Sequence, residues 1–115
     1  MTDRELLEAA AKAAGIEYDP KHSKPHPISG AFWGLWLVYH DEPTQYARRY
    51  FNPLTDDGDA LRLAVKLDLI DERKWKAPVT GAIYDECNGD WYSATRRAIV
   101  MAAAEIGAQT KGETA

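Results

Sequence analysis

Cysteine is nearly absent from this chain of 115 residues: Cys87 stands alone, so no internal disulfide can form and no four-cysteine zinc site can be assembled. That usage fits a reducing compartment. An excess of basic charge is lacking too, with 14 Lys and Arg against 18 Asp and Glu for a formal charge of −4. Such a balance supplies no general field for duplex DNA or RNA, although local basic patches stay open, and it is too weakly acidic for a mimic of DNA. Long apolar runs are missing: the longest, Ala31 to Tyr39, is far too short to span a bilayer, and Met1-Thr2-Asp3-Arg4-Glu5 has no basic region leading into an apolar one. The expectation is a soluble cytoplasmic protein, neither secreted nor membrane-spanning. Gly58, Gly81 and Gly89 stand singly, so no glycine-rich phosphate loop is present.

What is there reads as one domain over residues 1–115, since 45% hydrophobic and 28% charged residues suit a chain that buries a single core. Thr2 and Glu5 form a capping box for a helix over Asp3 to Ala14, with Leu6, Leu7, Ala10 and Ala14 on one face and Gly15 at its end. Residues 18–30 hold Pro20, Pro25 and Pro27 among lysines and histidines, which predicts a mobile loop. Ala31 to Tyr39 carries large apolar residues on both alternating faces, as a central strand buried on both sides requires, with Trp33, Trp36 and Tyr39 in the core. Gln45 to Phe51 alternates as a second strand of a hairpin.

The next helix starts at Thr55 or Asp56, with Ala60, Leu61, Ala64 and Val65 as its buried stripe, widened by Leu63 and Leu67. Residues 68–78 follow no clean period and read as a loop or edge element. Thr80 to Cys87 alternates as a last strand, Asn88-Gly89 turns, and Asp90 caps a third helix over Trp91 to Ile106 that stops at Gly107. A frayed tail follows over residues 108–115. The predicted class is α+β: a small antiparallel sheet of three to four strands packed with three helices, an α/β sandwich.

The runs Phe51 to Leu67, Tyr92 to Val100 and Ala102 to Gly107, with the Ala13-Ala14-Gly15-Ile16 ending of the first helix, carry a resemblance. Together they cover about half of the chain and resemble short phage and prophage proteins of unassigned function, the phage ABA sandwich group, in which helices pack on a small antiparallel sheet. The resemblance carries no active site with it, because the matched residues read as caps, turns and core faces. The segments Lys21 to Gly30 and Asp71 to Val79 depart from the pattern and are where a function particular to this chain can sit.

No constellation of catalytic residues is recognisable. His22 and His26 stand four apart and could join His40, Cys87 or a carboxylate at a metal, but the prolines deny the helix that spacing needs, so no metal or other cofactor is expected. Asp56, Asp57 and Asp59 lack the order of a calcium loop and read as acids of a helix start. Cys87 with a histidine base has no local signature and reads as packing.

Two arginine pairs stand out. Arg96 and Arg97 lie near the start of a helix, where cations oppose the macrodipole while the amides attract anions. Arg48 and Arg49 lie between Tyr46 and Tyr50. Either pair could hold an anion; equally, the first could bridge to Asp90 or Glu105 within the fold. Trp75 and Trp91 lie in polar surroundings that favour exposure, Trp91 and Tyr92 lie close in sequence to the first pair, and exposed aromatics beside arginine suit a protein interface.

The first functional expectation, resting on the resemblance and on the missing catalytic set, is a non-enzymatic phage or prophage accessory protein. It would bind a host cytoplasmic protein as a counter-defence inhibitor through Trp75, Trp91, Tyr92, Arg96 and Arg97, and could act as a homodimer. The second is a nucleotide-sequestering protein in which the arginine pairs hold phosphates and aromatics stack bases. The third is a metal-dependent hydrolase using Asp56, Asp57 or the histidines. A structural phage part is disfavoured because the chain has no coat-forming or coiled-coil repeat.

Overall fold

The computed structural model describes residues 2–37, 50–70 and 73–113, the last four of these by their backbone alone. Its elements run α1 (Asp3–Ala14), β1 (Tyr18–Asp19), β2 (Leu35–Leu37), β3 (Tyr50–Phe51), α2 (Asp57–Lys66), α3 (Gly81–Glu86) and α4 (Trp91–Glu113). The fold is α+β, with four helices and a small antiparallel sheet of order β1-β2-β3.

Local chemistry sets the helix starts. The Thr2 hydroxyl accepts from the Glu5 N–H at 3.1 Å, and α1 then buries Leu6, Leu7, Ala10, Ala11 and Ala14. Asp56 caps α2 by accepting from the Asp59 N–H at 2.7 Å. Asp90 holds the start of α4, accepting from the Tyr92 N–H at 3.0 Å and from the Ser93 hydroxyl at 2.8 Å. Those two bonds, the hydroxyl first, hold the Asp90 carboxyl below the usual aspartate range.

Two segments depart from the sequence expectation. Residues 80–87 form a helix, α3, and not the last strand: the Thr80 hydroxyl accepts from the Ile83 N–H at 3.3 Å. Ile83, Tyr84 and Cys87, which a strand would split between two faces, fall together at helical spacing and turn inward, while Asp85 and Glu86 reach solvent. The last helix, in turn, does not stop at Gly107 or fray from residue 108; it continues to Glu113. Gly107 is buried against the backbone of Ala9, where a built Cβ would overlap the carbonyl, so this glycine serves close helix approach rather than termination.

The core lies where α1 and α4 meet, the most extensive pairing of elements in the fold. Ala10, Ala11 and Ala14 of α1 and Ala94, Ala98, Ala103 and Ala104 of α4 are small enough to let the helices approach, and Leu7 and Val100 fill the space left. Each fully buried leucine side chain stabilises by roughly 1.5–3 kcal/mol over its exposed state.

The sheet covers the core on one side only. Leu35 and Leu37 of β2 and Phe51 of β3 are buried, while Trp36, between the two leucines, points the other way. The expected strand over 31–39 is therefore neither as long, within the described residues, nor buried on both faces, and Trp33 is 59% exposed rather than core. Gly34 breaks it: its φ is 120°, and a Cβ there would lie 2.8 Å from Asn52 Cβ. Tyr39 and residues 45–49 of the expected second strand lie outside the described residues.

The proline-rich segment is tied down. Tyr18 and Asp19 form β1, and the buried Ser23 hydroxyl donates to the Asp19 carbonyl at 2.6 Å while accepting from the Trp36 N–H at 2.8 Å. His26 and Ala31 add a backbone bond at 2.8 Å.

Candidate functional site

Helix α2 is apolar on more than the face it buries. Ala60, Leu63 and Ala64 pack inward, but Leu61 and Val65, expected in the buried stripe, are exposed. Leu61 lines an open groove, while Val65 lies outside it. Beside α2, the first turns of α4 present Trp91, Tyr92, Thr95 and Ile99 along one face, and a bridge between Ile70 and Trp75 closes the end. Together they line the groove, of about 430 Å³, which also includes Asp57 and Arg96.

The groove unites most of the residues singled out from sequence. Trp91 is 59% and Tyr92 74% exposed, and the Trp91 ring lies 4.6 Å from that of Tyr84, which props it against α3. Trp75 is anchored by its indole N–H, which donates to the Ala77 carbonyl at 2.5 Å. The aromatics are thus held while their faces stay open, the condition under which such side chains contribute most to an interface.

Arg96 is only 17% exposed and is engaged by the fold. It donates to the Leu54 carbonyl at 2.9 Å, to Asp57 at 2.7 Å and to the Ser93 hydroxyl at 3.2 Å, which ties α4 to the start of α2. Arg97, 19% exposed, lies away from the groove; it donates to Asp3 at 3.1 Å and stands 3.4 Å from Glu86, joining α4 to α1 and α3. The two side chains diverge and do not form a common anion site; among the described residues their ion pairs are with Asp57, Asp3 and Glu86 rather than Asp90 or Glu105, although, after the bonds from Ser93 and Tyr92, the Arg96 charge also helps to hold the Asp90 carboxyl low. Arg48 and Arg49 lie outside the described residues.

The remaining candidates separate. His22 Nδ1 is 2.6 Å from Asp19, whereas His26 Nδ1 accepts from the Ile28 and Ser29 N–H groups at 3.2 Å. Among the described residues no group of three His, Cys, Asp or Glu could hold a metal. Asp59 is buried, accepting from the Asn52 N–H at 3.0 Å and from Arg62 at 2.9 Å, so the acids at 56–59 act as cap and ion pairs. Cys87 is half-buried at the end of α3.

Sequence reading missed Leu61, expected in the buried stripe of α2, and Ile70, in a segment of no clean period, as lining residues of this groove. No helix among the described residues is long and apolar enough to cross a membrane. Comparison with known protein families, curated proteins and solved structures finds no match to this chain.

Proposed function

We propose that this chain is a binding protein that seats a helix of a partner protein in the groove between α2 and α4. The observation that carries the reading is the convergence of Trp75, Trp91 and Tyr92 with Leu61 and Ile70 on one concave surface. Concavity favours a foreign partner over a second copy: a two-fold interface brings the same patch against itself, and a groove cannot fill a groove. An amphipathic helix with apolar residues at i, i+3, i+4 and i+7 has the right form. Asp57 in the lining is offset by its partner Arg96, and the net charge of −4 favours a helix whose polar flank is basic. The more particular reading, a phage accessory protein blocking a host defence component in the cytoplasm, rests on the sequence resemblance and on the absence of a recognisable catalytic set in the sequence.

The test is reconstitution. A partner captured by the immobilised chain is identified, remade pure and titrated against wild type and a Trp91→Ala/Tyr92→Ala variant. Truncating aromatic anchors of this kind costs about 2 kcal/mol or more, roughly thirtyfold in affinity. The variant should lose at least that while melting within a few degrees of wild type. Unchanged affinity in the variant, or a wild-type dimer that buries the groove, overturns the proposal.

A further inference from the structure

A second surface lies on the side of the sheet away from the helices. The register sets Trp36 opposite Asp19 on one side and Tyr50 on the other. Because Leu35, Leu37 and Phe51 point into the core, Trp36 and Tyr50 turn outward. Their rings meet edge to face at 4.8 Å, and the row is extended by His22, 6.1 Å from Trp36, and by the exposed Trp33, 6.2 Å from Tyr50. Four aromatic rings therefore run across the face of a three-stranded sheet.

Over one end of this row stands the Lys21 to Gly30 segment, one of the two that depart from the sequence resemblance. Lys21, Lys24 and His26, with the neighbouring prolines, form one wall of a cleft of about 390 Å³ whose other wall is Trp33, Gly34 and Tyr50. That volume is within the range of small-ligand sites. The carboxylate nearest the lysines, Asp19, already accepts from the Lys21 backbone N–H at 2.9 Å and holds His22 at 2.6 Å. Neither lysine ammonium is paired with a carboxylate among the described residues, and both are exposed.

We infer that this cleft binds single-stranded nucleic acid, with a base stacked on the exposed Trp33 and the phosphates facing Lys21 and Lys24. An open indole face beside a cationic wall matches a ligand that alternates planar rings with anions. Duplex does not fit, because its base faces are covered and cannot stack on Trp33. The cleft lies on the sheet and is separate from the groove between α2 and α4, so the two proposals stand or fall independently.

The experiment is fluorescence anisotropy with a labelled single-stranded DNA of about 12 nucleotides and mixed sequence, within the length such grooves track. It compares wild type, Trp33→Ala, Lys21→Ala/Lys24→Ala, and an Ile28→Ala control on the same loop. Expected are saturable binding, at least tenfold weaker binding in the first two variants, and none of that loss in Ile28→Ala. The lysine variant should also flatten the dependence of log affinity on log salt by about 1.4. Trp33 and both lysines are exposed, so the variants keep the fold, which a melting curve checks. Absence of saturable binding, equal affinity for the same sequence as a duplex, or binding indifferent to both variants overturns the inference.

Discussion

Replacing Gly107 by alanine sets two opposed effects against each other and so tests the packing directly. In an isolated helix the change would stabilise by about 1 kcal/mol, because glycine loses more backbone entropy on folding. Here the added methyl meets the backbone of Ala9 in α1, with the carbonyl carbon 3.0 Å from the built Cβ and the carbonyl oxygen nearer still. Backbone cannot swing aside as the end of a side chain can, so α1 and α4 must separate along the interface that forms most of the core. Overpacking of this kind costs about 2–3 kcal/mol. The net expectation is a destabilisation of about 1–2 kcal/mol, read as a Tm lower by about 4–8 °C. Gly58→Ala is the matched control, because the atom nearest its built Cβ is Arg62 Nη2 at 3.1 Å, the end of a flexible chain. It should change stability by less than about 0.5 kcal/mol. A Tm that rises in Gly107→Ala would show that the helices do not touch there and would refute the argument.

Two further outcomes follow from the same contacts. Arg96→Ala/Arg97→Ala should destabilise by about 2 kcal/mol in urea unfolding, since bonds from charged donors are lost but their carboxylate partners are largely exposed; a change below about 0.5 kcal/mol would leave the pair surplus to the fold. Burial, followed by the hydrogen bond to Glu8 at 2.9 Å, raises the Tyr18 phenol above the usual tyrosine range. Its folded pKa exceeds the unfolded one, so the stabilisation is full below about pH 10 and is lost as pH rises through the folded pKa. Tyrosinate absorbance should show a component above the usual tyrosine range that Tyr18→Phe removes, and a titration curve whose alkaline limb is unchanged by that substitution would contradict this.

The candidate groove was partly legible in the chain. Trp75, Trp91 and Tyr92 could be picked out because large aromatics among polar residues seldom all turn inward, and the structure sets them around one concavity. Arg96 was legible as unusual but not in its role: its partners Leu54 and Asp57 are some 40 residues away in sequence, and no local pattern announces them. The sheet face was read as core, because an apolar run that alternates on both faces describes a doubly covered strand and an aromatic binding face alike.

What the sequence by itself determined was three of the helix starts among the described residues, at Thr2, at Thr55 or Asp56, and at Asp90, together with the α+β class, while the start at Thr80 was read as strand. Caps are local: a side chain bonds an amide two or three residues on, and the result needs no distant partner. Only the tertiary structure decided that residues 80–87 coil rather than extend, that Gly107 continues a helix, and that one face of β2 stays open. Each of those depends on which distant surface supplies the burial. Segments with six to eight residues of mixed pattern carry too little intrinsic preference to resist the packing that offers it.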